Sequence, residues 1–476
     1  MSQSYRCQNL VIGSGPGGSV TAWTLASHGR DVLLLEEGPC LPLDSCAPFS
    51  IDEMTQKYRN GGLNPALGQP RIPLVEGRCV GGGSEINSAL YHRTPEEILD
   101  RWRAVYGVKH AGMEDMRPHF DACERALSVQ LNPGTQPRIA LKMKLGAEHL
   151  GWKTEEVPRA FKYETEPCGN GRILGKRQSM TETLIPSAVQ AGVRLQGGVR
   201  GLKIARRKDH WNVTALQHGA RVEIEADAVF VCGGAIQTPA LLRRSGIQRN
   251  IGNSLSLHPM IKVVAVFDEE VNSGHPDVAA QQVNEYSPNL CMGCSISSLP
   301  YLALAMTDHP DAALDLRRTS PQMAVYYASI RGSATGRIRD LPWSTAPLLR
   351  YSLAPEDLRG LATGLRRLCQ VLFAAGATSL YPSIPWFPPL RNADDLSRIP
   401  VTLPRSASLT SVHVFSSCPM GERSQQSAVD SFGQVHGQRN LVINDASVLC
   451  GPPGVNPQGT IMAFARRNTL HFVKGL

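Results

Sequence analysis

Several features that would assign the protein to a cellular compartment or partner class are missing from its 476 residues. No run of about 18 apolar residues occurs, so the sequence predicts no membrane-spanning helix. No apolar targeting segment precedes the first predicted strand, which begins close to Met1, so we expect a cytoplasmic protein. The net charge of +8 is mild for this length, and no basic stripe carries interleaved aromatic residues. Nucleic acid is therefore not an expected partner.

Paired cysteine motifs are also scarce. Twelve cysteines are spread along the chain, and only Cys291 and Cys294 form a close pair. The second Cys-x-x-Cys of a usual zinc site is lacking, and no histidine follows Cys294 as in a c-type haem motif. We therefore expect no metal site. The pair is interpreted as two thiols or a local disulfide, and the sequence leaves its role open.

The chain is longer than one simple core usually requires, so we expect two domains or one large domain with an insertion. Short alternating runs over 193–231 predict an antiparallel hairpin that feeds a buried strand. Other strands are predicted at 10–12, 32–35, 262–267, 322–330 and 440–447. Apolar spacings of three or four predict helices over 20–27, 95–107, 116–127, 237–247, 355–377 and 457–475. The glycine- and proline-rich stretch 60–85 is predicted to be a loop.

A glycine fingerprint follows the first predicted strand and opens the first helix. Residues 13–18, GSGPGG, fit the pattern G-x-G-x-x-G, whose glycines permit a tight turn and let the backbone approach a pyrophosphate. Glu36 closes the next strand, where its carboxylate would accept hydrogen bonds from ribose hydroxyls. An acid there disfavours NADP, but the fingerprint does not separate FAD from NAD. The predicted dinucleotide-binding residues are Gly13, Ser14, Gly15, Gly17, Gly18 and Glu36.

Three further segments accompany the fingerprint. The segment GRCVGGGSEINSALYHR (77–93) is too rich in glycine for a core and indicates close packing of backbone against a flat ligand. The segment GGAIQTPALLRRSGI (233–247) ends a strand and opens a helix. In NLVINDASVLCGPPGVNPQGTIM (440–462), Pro457 takes an N1 position just after Asn456. A helix that begins there would present the positive end of its dipole.

Together the four segments resemble the glucose-methanol-choline (GMC) oxidoreductase family, from residue 8 to residue 475. The family signatures are similar to GRCVGGGSEIN, to GAIQTPALLRRSG, and to DAS and NP before TIM. The resemblance implies an α/β fold, in which a Rossmann-like FAD-binding domain of discontinuous segments carries an inserted substrate domain of antiparallel sheet plus helices. The implied FAD-binding segments are 1–95, 165–265 and 410–476, and the implied substrate-binding segments are 96–164 and 266–409.

The resemblance also implies how FAD is held. Some family members attach it through a histidine in the glycine-rich segment, and Ile86 stands at that position here, so we expect non-covalent FAD. Backbone N–H groups around Asp445 and Ala446 would meet the ribityl-pyrophosphate arm, and Asn87 would position the loop that faces the flavin. The other residues expected to bind the cofactor are Gly81, Gly82, Ser84, Gly234, Asn456, Pro457 and Thr460.

His413 precedes a run of small residues near the C-terminus, as does the family's catalytic base. The resemblance therefore implies that His413 takes the hydroxyl proton of an alcohol while a hydride passes to flavin N5, and that Asn456 is its partner. Asn456 alternatively only caps its helix. Val414, Ser416 and Ser417 replace residues that are proline or glycine in the family, so the two serines are candidates for contact with substrate or flavin. The histidines at 92, 258 and 436 are expected to be structural.

The predicted activity is FAD-dependent oxidation of a CH–OH group of an alcohol or sugar-like substrate to the carbonyl. A lyase that uses FAD without reducing it is one alternative. An NAD(P)H-dependent flavin reductase is another, although a second complete glycine unit is lacking. Electrons would leave to oxygen, a quinone or a separate carrier. The sequence leaves open which alcohol is oxidised, whether the enzyme is an oxidase or a dehydrogenase, and its oligomeric state.

Overall fold

Two large β-sheets form the framework of the computed structural model, which describes residues 4–167, 171–273, 279–341 and 343–475. In chain order the strands are β1 Ser4–Ile12, β2 Val32–Leu35, β3 Asn64–Ala66, β4 Ile72–Leu74, β5 Val129–Gln130, β6 Thr154–Glu156, β7 Arg159–Tyr163, β8 Gly175–Arg177, β9 Arg194–Gln196, β10 Val199–Arg206, β11 Trp211–Gln217, β12 Ala220–Val231, β13 Ser256–Leu257, β14 Met260–Val266, β15 Gln281–Val283, β16 Leu290–Cys294, β17 Met323–Ile330, β18 Arg337–Leu341, β19 Ser344–Arg350, β20 Ser379–Pro382, β21 Leu409–Thr410, β22 Val414–Phe415 and β23 Leu441–Ile443. The α-helices are α1 Pro16–Ala26, α2 Ile51–Lys57, α3 Glu96–Tyr106, α4 Met113–Ala126, α5 Arg138–His149, α6 Leu184–Gln190, α7 Gly234–Arg244, α8 Leu299–Ala305, α9 Pro310–Ala313, α10 Leu316–Thr319, α11 Pro355–Ala374 and α12 Gln458–Lys474.

The first sheet has the strand order β10-β11-β12-β1-β2-β9, and β23 joins it beside β12. β1 pairs in parallel with β12 and β2, whereas β10, β11 and β12 are antiparallel, as the pattern over 193–231 predicts. Side chains of β1 alternate between two cores, with Leu10 and Ile12 in one and Val11 beside Leu25 of α1 in the other. Because both faces are buried there, β2 and the C-terminal ends of β1 and β12 are apolar without interruption.

The second sheet is antiparallel, with the order β20-β14-β17-β16-β15-β6 and β21 beside β14. One face packs against α11, whose Leu361, Leu365 and Leu368 share a core with Ile261 and Val263 of β14. The spacing of three and four between these leucines gives the helix one apolar face. Within the described ranges, no helix is long and apolar enough to cross a bilayer. Part of the opposite face of the sheet packs against α8, and another part borders a cavity.

Some local predictions differ from the structure, and one open alternative is decided. The stretch 60–85 is not only loop, because β3 and β4 form a short antiparallel pair between two 3₁₀ turns. α12 begins at Gln458 with Pro457 as its N-cap, one residue later than predicted. Neither Cys291 nor Cys294 forms a disulfide with a described residue. Three residues apart on β16, their side chains point to opposite faces of the sheet, so a local disulfide is excluded.

The predicted division into two domains stays a prediction, and the packing of three elements bears on its boundaries. α3 and α4 lie in the segment assigned to the substrate domain. Their Trp102 and Phe120 nevertheless pack in a core of the first sheet, and Trp102 contacts Phe464 of α12. β14 begins before the predicted boundary at 265, yet it pairs only within the second sheet of the described chain. Packing therefore assigns α3 and α4 to the first unit and β14 to the second.

Candidate active site

A cavity of about 890 Å³ lies between the two sheets. The loop after β1, the ends of β2 and β12, and the N-terminus of α12 form one wall. β14, β17 and the residues just before β22 form the other. Ligands of α/β sheets bind beyond the carboxyl ends of the parallel strands, which is where the first wall lies. The volume is near the upper end for pockets that take small molecules and cofactors.

The fingerprint glycines serve two purposes. A Cβ on Gly18 would collide with the carbonyl oxygen of Gly13, and a Cβ on Gly17 would collide with that of Asn444. These two glycines therefore let α1 lie close to the adjoining strands. A Cβ on Gly15, in contrast, would meet nothing in the described chain within 4 Å, and Gly15 faces the cavity. A phosphate-bearing ligand would fit in that space, against the N-terminus of α1.

Glu36 ties the glycine loop to the end of β2. Its buried carboxylate accepts hydrogen bonds from the N–H of Ser14 at 3.0 Å, the hydroxyl of Ser14 at 2.8 Å and the N–H of Gly38 at 2.9 Å. Burial raises the pKa of Glu36. The same side chain borders the cavity, so bonds to ribose hydroxyls would add to those within the chain. Glu37, which sequence reasoning missed, also borders the cavity and pairs with Arg59 at 2.9 Å.

The predicted cofactor-binding residues fall into two groups. Those at the cavity wall are Gly13, Gly15, Gly17, Glu36, Gly82, Asn87, Gly234, Asp445, Ala446, Asn456 and Pro457. The others, which lie behind the wall, are Ser14, Gly18, Gly81, Ser84 and Thr460.

The residues behind the wall connect its parts. The Ser14 hydroxyl accepts the N–H of Gly81 at 3.0 Å, and the Ser84 hydroxyl donates to the Gly81 carbonyl at 2.8 Å. The hydroxyls of Thr460 and Thr94 are 2.8 Å apart. The side-chain hydroxyls of Ser14, Ser84 and Thr460 therefore support the wall, and direct contact of these residues with a cofactor stays a prediction.

His413 and His258 form a pair at the cavity. Their Nδ1 atoms are 3.0 Å apart, and Nε2 of His258 accepts the N–H of Gly454 at 3.1 Å. This contact favours the tautomer in which His258 carries its proton on Nδ1 and donates it to Nδ1 of His413, which leaves the proton of neutral His413 on Nε2. The amide Nδ2 of Asn456, 3.3 Å from that Nε2, is also a donor and favours the opposite tautomer, with Nε2 unprotonated. His258 is thus linked to the candidate base and is more than the structural residue that the sequence predicts.

Asn456 lies on the other side of His413. Its Nδ2 is 3.3 Å from Nε2 of His413, and its Oδ1 accepts a hydrogen bond from Gln282 at 3.4 Å. Gln282 also donates to the hydroxyl of Tyr327 at 2.9 Å. The side chain of Asn456 therefore does more than cap α12, whose N-cap is Pro457. A chain of polar contacts runs from β17 through β15 to the candidate base.

Burial keeps the histidines of this cluster neutral. Burial, and to a smaller extent the nearby His92, lower the pKa of His413 to about 4. Burial also lowers the pKa of His258 well below its ordinary value, and that of His92 to about 4. At neutral pH both rings of the His258–His413 pair are therefore uncharged, as the hydrogen bond from Gly454 requires.

Two serines that were candidates for contact with substrate or flavin do not reach the cavity. The hydroxyl of Ser417 donates to the carbonyl of Ala235 at 2.6 Å. The hydroxyl of Ser416 is buried and has no partner in the described chain. Both residues follow β22 into the interior, whereas Val414 borders the cavity. His436 bonds Ser427 at 3.0 Å, consistent with the structural role predicted for it.

Sequence reasoning missed His258, Gln282 and Tyr327 as members of the site. The segment LHP around His258 was one available signal, since it stands among family-like residues. Gln282 and Tyr327 lie in the segment with the weakest resemblance, and no motif marks them. Strand pairing alone brings them together, because Gln282 and Tyr327 both pair with Gly293 from opposite sides of β16.

Comparisons with known proteins support this architecture. The family described as GMC oxidoreductase matches residues 54–260 and 334–465, and an NAD(P)-binding Rossmann-like domain matches residues 11–43. An uncharacterized GMC-type oxidoreductase of Sinorhizobium fredii is 38% identical, with 96% of this chain and 93% of that protein covered. A long-chain-alcohol oxidase of Arabidopsis thaliana is 27% identical, with 97% and 67% covered. The crystal structure of pyridoxine 4-oxidase from Mesorbium loti superposes with a TM-score of 0.74 at 16% identity, covering 98% and 99%, a likeness of fold.

A Rossmann-like sheet faces an antiparallel sheet across the cavity, and the predicted α/β fold class is confirmed. Two family matches and a relative of 38% identity along nearly the full length decide the family. The chain belongs to the GMC oxidoreductases, as the four sequence segments indicated.

Proposed function

We propose that this enzyme binds FAD non-covalently and oxidises the CH–OH group of an alcohol or sugar-like substrate to the carbonyl. One observation carries the proposal: His413 and Asn456, distant in sequence, meet at 3.3 Å on the wall of the cavity that also contains the glycine loop. A base and a polar group beside it are what removal of a hydroxyl proton requires. The related long-chain-alcohol oxidase supports an alcohol as the substrate class.

The residues at the cavity wall fit a flavin dinucleotide. The N-terminus of α1 and the open space over Gly15 suit its pyrophosphate, and Glu36 suits a ribose. Ile86, which borders the cavity, has a side chain that forms no covalent bond, which supports non-covalent binding. FAD, when bound, supplies the hydride acceptor.

In the proposed reaction His413 accepts the hydroxyl proton at Nε2. In the tautomer that the Gly454 contact favours, Nε2 is already protonated and both rings must first exchange tautomers. In the tautomer that the Asn456 contact favours, Nε2 accepts directly, and the Gly454 N–H lacks its acceptor at a cost of about 1–3 kcal/mol. Asn456 holds the substrate oxygen beside His413. The N-terminus of α12 borders the same cavity and favours negative charge that develops near it.

An anaerobic screen tests the activity. Purified holoenzyme is mixed with alcohols of several classes, and the flavin absorbance is followed. We expect an alcohol to bleach it and oxygen, a quinone or another carrier to restore it. Bleaching by NADH instead would favour a flavin reductase. Turnover without bleaching would favour a lyase.

Replacement of His413 tests the base. We expect His413→Ala to slow flavin reduction by about 10²–10⁴-fold while FAD stays bound, because the proton loses its acceptor. Stopped-flow absorbance measures the rate, and the spectrum of the purified protein measures bound FAD. His210→Ala is the control, since His210 lies outside the cavity. Reduction of His413→Ala at the wild-type rate would show that another group is the base.

A further inference from the structure

One lysine stands in a strand that is otherwise apolar. β14 reads MIKVVAV, and Ile261, Val263 and Val264 around Lys262 are fully buried. Ile261 and Val263 face the core with α11, so strand alternation turns Lys262 to the opposite side. There the half-buried side chain borders the cavity. The position belongs to the middle of the sheet, between β17 and β20.

The ammonium group of Lys262 makes neither an ion pair nor a hydrogen bond with any part of the chain that the structure describes. Asp308 also borders the cavity, but its carboxylate accepts the Ser408 hydroxyl at 3.0 Å and forms no ion pair with Lys262. Burial alone lowers the pKa of Lys262 to about 8. An unpaired cation in such surroundings is costly unless an anion reaches it.

A second polar group without a partner lies on the same face. The Oγ1 atom of Thr410 is buried and makes no hydrogen bond to the described residues. Thr410 pairs with Met260, so its side chain lies on the cavity side of the sheet. Lys262 is two residues further along β14, on the same face. Ser383, whose N–H donates to the Lys262 carbonyl at 2.9 Å, borders the cavity from the neighbouring strand. Three side chains that donate hydrogen bonds therefore converge at one end of the cavity.

We propose that Lys262 and Thr410 form a subsite for a carboxylate, so that the substrate is a hydroxy acid. A lone lysine suits a monoanion, whereas a phosphate dianion is usually bound by several donors that include arginine. Four arginines also line the cavity, and none has a described contact with Lys262. Arg59 and Arg200 lie beside Glu37, Arg244 donates to backbone carbonyls, and Arg71 is exposed. This inference rests on the proposed function and narrows its substrate class.

The chain geometry also indicates where the acid group lies relative to the reacting carbon. Lys262 follows His258 by four residues, which span at most about 13 Å, and Met260 between them also lines the cavity. The carboxylate is therefore several bonds from the carbinol, unlike that of an α-hydroxy acid. Met260, Ile296 and Leu304 line the cavity as well, and an apolar body between the two polar ends of the substrate would meet them.

Matched substrates on the holoenzyme test the subsite. 8-Hydroxyoctanoate and 1-octanol have the same chain length and differ in the carboxylate. We expect the wild type to prefer the acid in kcat/KM, and Lys262→Met to reduce this preference by about 10- to 100-fold, the effect of one hydrogen bond to a charged group. Lys262→Arg should restore part of the preference. The control Lys203→Met removes an exposed lysine of β10 and should leave the preference unchanged.

A binding measurement separates this inference from the proposed function. Octanoate should raise the melting temperature of the wild-type holoenzyme more than 1-octanol does, and Lys262→Met should lose that difference, whether or not any alcohol is oxidised. If alcohols reduce the flavin but neither rate nor melting temperature distinguishes the acid, the carboxylate subsite is wrong and the oxidation stands. If octanoate binds through Lys262 but no alcohol reduces the flavin, the subsite stands and the proposed oxidation fails.

Discussion

At the scale of single residues, Gly454 has no side chain, yet its N–H influences where His413 carries its proton. The bond of 3.1 Å to His258 favours a proton on the His258 nitrogen that faces His413, and therefore a proton on Nε2 of His413. The amide donor of Asn456 favours the opposite tautomer, in which Nε2 is free to accept a proton. The two tautomers therefore differ by the exchange of one hydrogen bond for another, each worth about 0.5–1.5 kcal/mol.

The pKa of His413 leads to a prediction about pH. Burial, and then the neighbouring His92, lower that pKa to about 4, so the ring is neutral and able to act as a base above this value. With a neutral alcohol, we expect the rate of flavin reduction to be constant from about pH 8 to pH 5 and to fall tenfold per pH unit below about pH 4. Stopped-flow mixing after a pH jump measures the rate, and the flavin spectrum checks that FAD stays bound. A fall in the rate of flavin reduction centred near pH 6.5 would contradict the lowered pKa of the buried His413.

At the scale of elements, the glycine loop between β1 and α1 combines packing with binding. Gly18 permits the close approach of helix and strand, whereas Gly15 leaves space on the cavity side. The sequence pattern does not distinguish the two, because both match the same fingerprint. Only the positions of their neighbours show what each glycine is for.

Alanine at these two positions should therefore give different defects. Gly15→Ala is expected to fold normally and to bind FAD more weakly, because the added methyl group enters the ligand space. Gly18→Ala is expected to lower the melting temperature of the FAD-free protein as well, because its methyl group collides with the backbone of Gly13. Thermal melting without FAD and fluorescence titration with FAD measure the two effects. An equal loss of melting temperature in both FAD-free variants would contradict the assignment of Gly18 to packing and of Gly15 to ligand binding.

At the scale of the whole molecule, the cavity is bounded by two sheets that have separate cores. Gly15 and Glu36 come from the first unit, whereas Lys262 and Tyr327 come from the second. A ligand in the cavity contacts both units. Its binding free energy therefore adds to the stability of their association.

Removal of FAD should for this reason make the protein less stable. We expect the FAD-free protein to melt at a lower temperature, and added FAD to restore stability by about 2.7 kcal/mol at a hundred times its Kd. Differential scanning calorimetry over a series of FAD concentrations measures the effect, and riboflavin, which lacks the dinucleotide, serves as the control. A melting temperature that is independent of FAD would mean that the cofactor does not bridge the folded units as proposed.

The sequence by itself determined the features that depend on local pattern. Alternating and continuous apolar runs predicted β1, β2 and the hairpin over 193–231, because the periodicity of a strand depends on residues that are adjacent in sequence. The glycine pattern located the first wall of the cavity, and the family resemblance singled out His413 and Asn456. Boundaries were less accurate, as the start of α12 and the short strands within 60–85 demonstrate.

Only the tertiary structure decided what lies around those residues. It brought His258 and Gly454 to His413, and it brought Gln282 and Tyr327 to Asn456, across separations in sequence that no local period encodes. It also placed Ser14 and Thr460 behind the wall and turned Lys262 toward the cavity. The physical reason is the same in each case: contacts between distant segments depend on how strands pair and layers stack, and those follow from the fold as a whole.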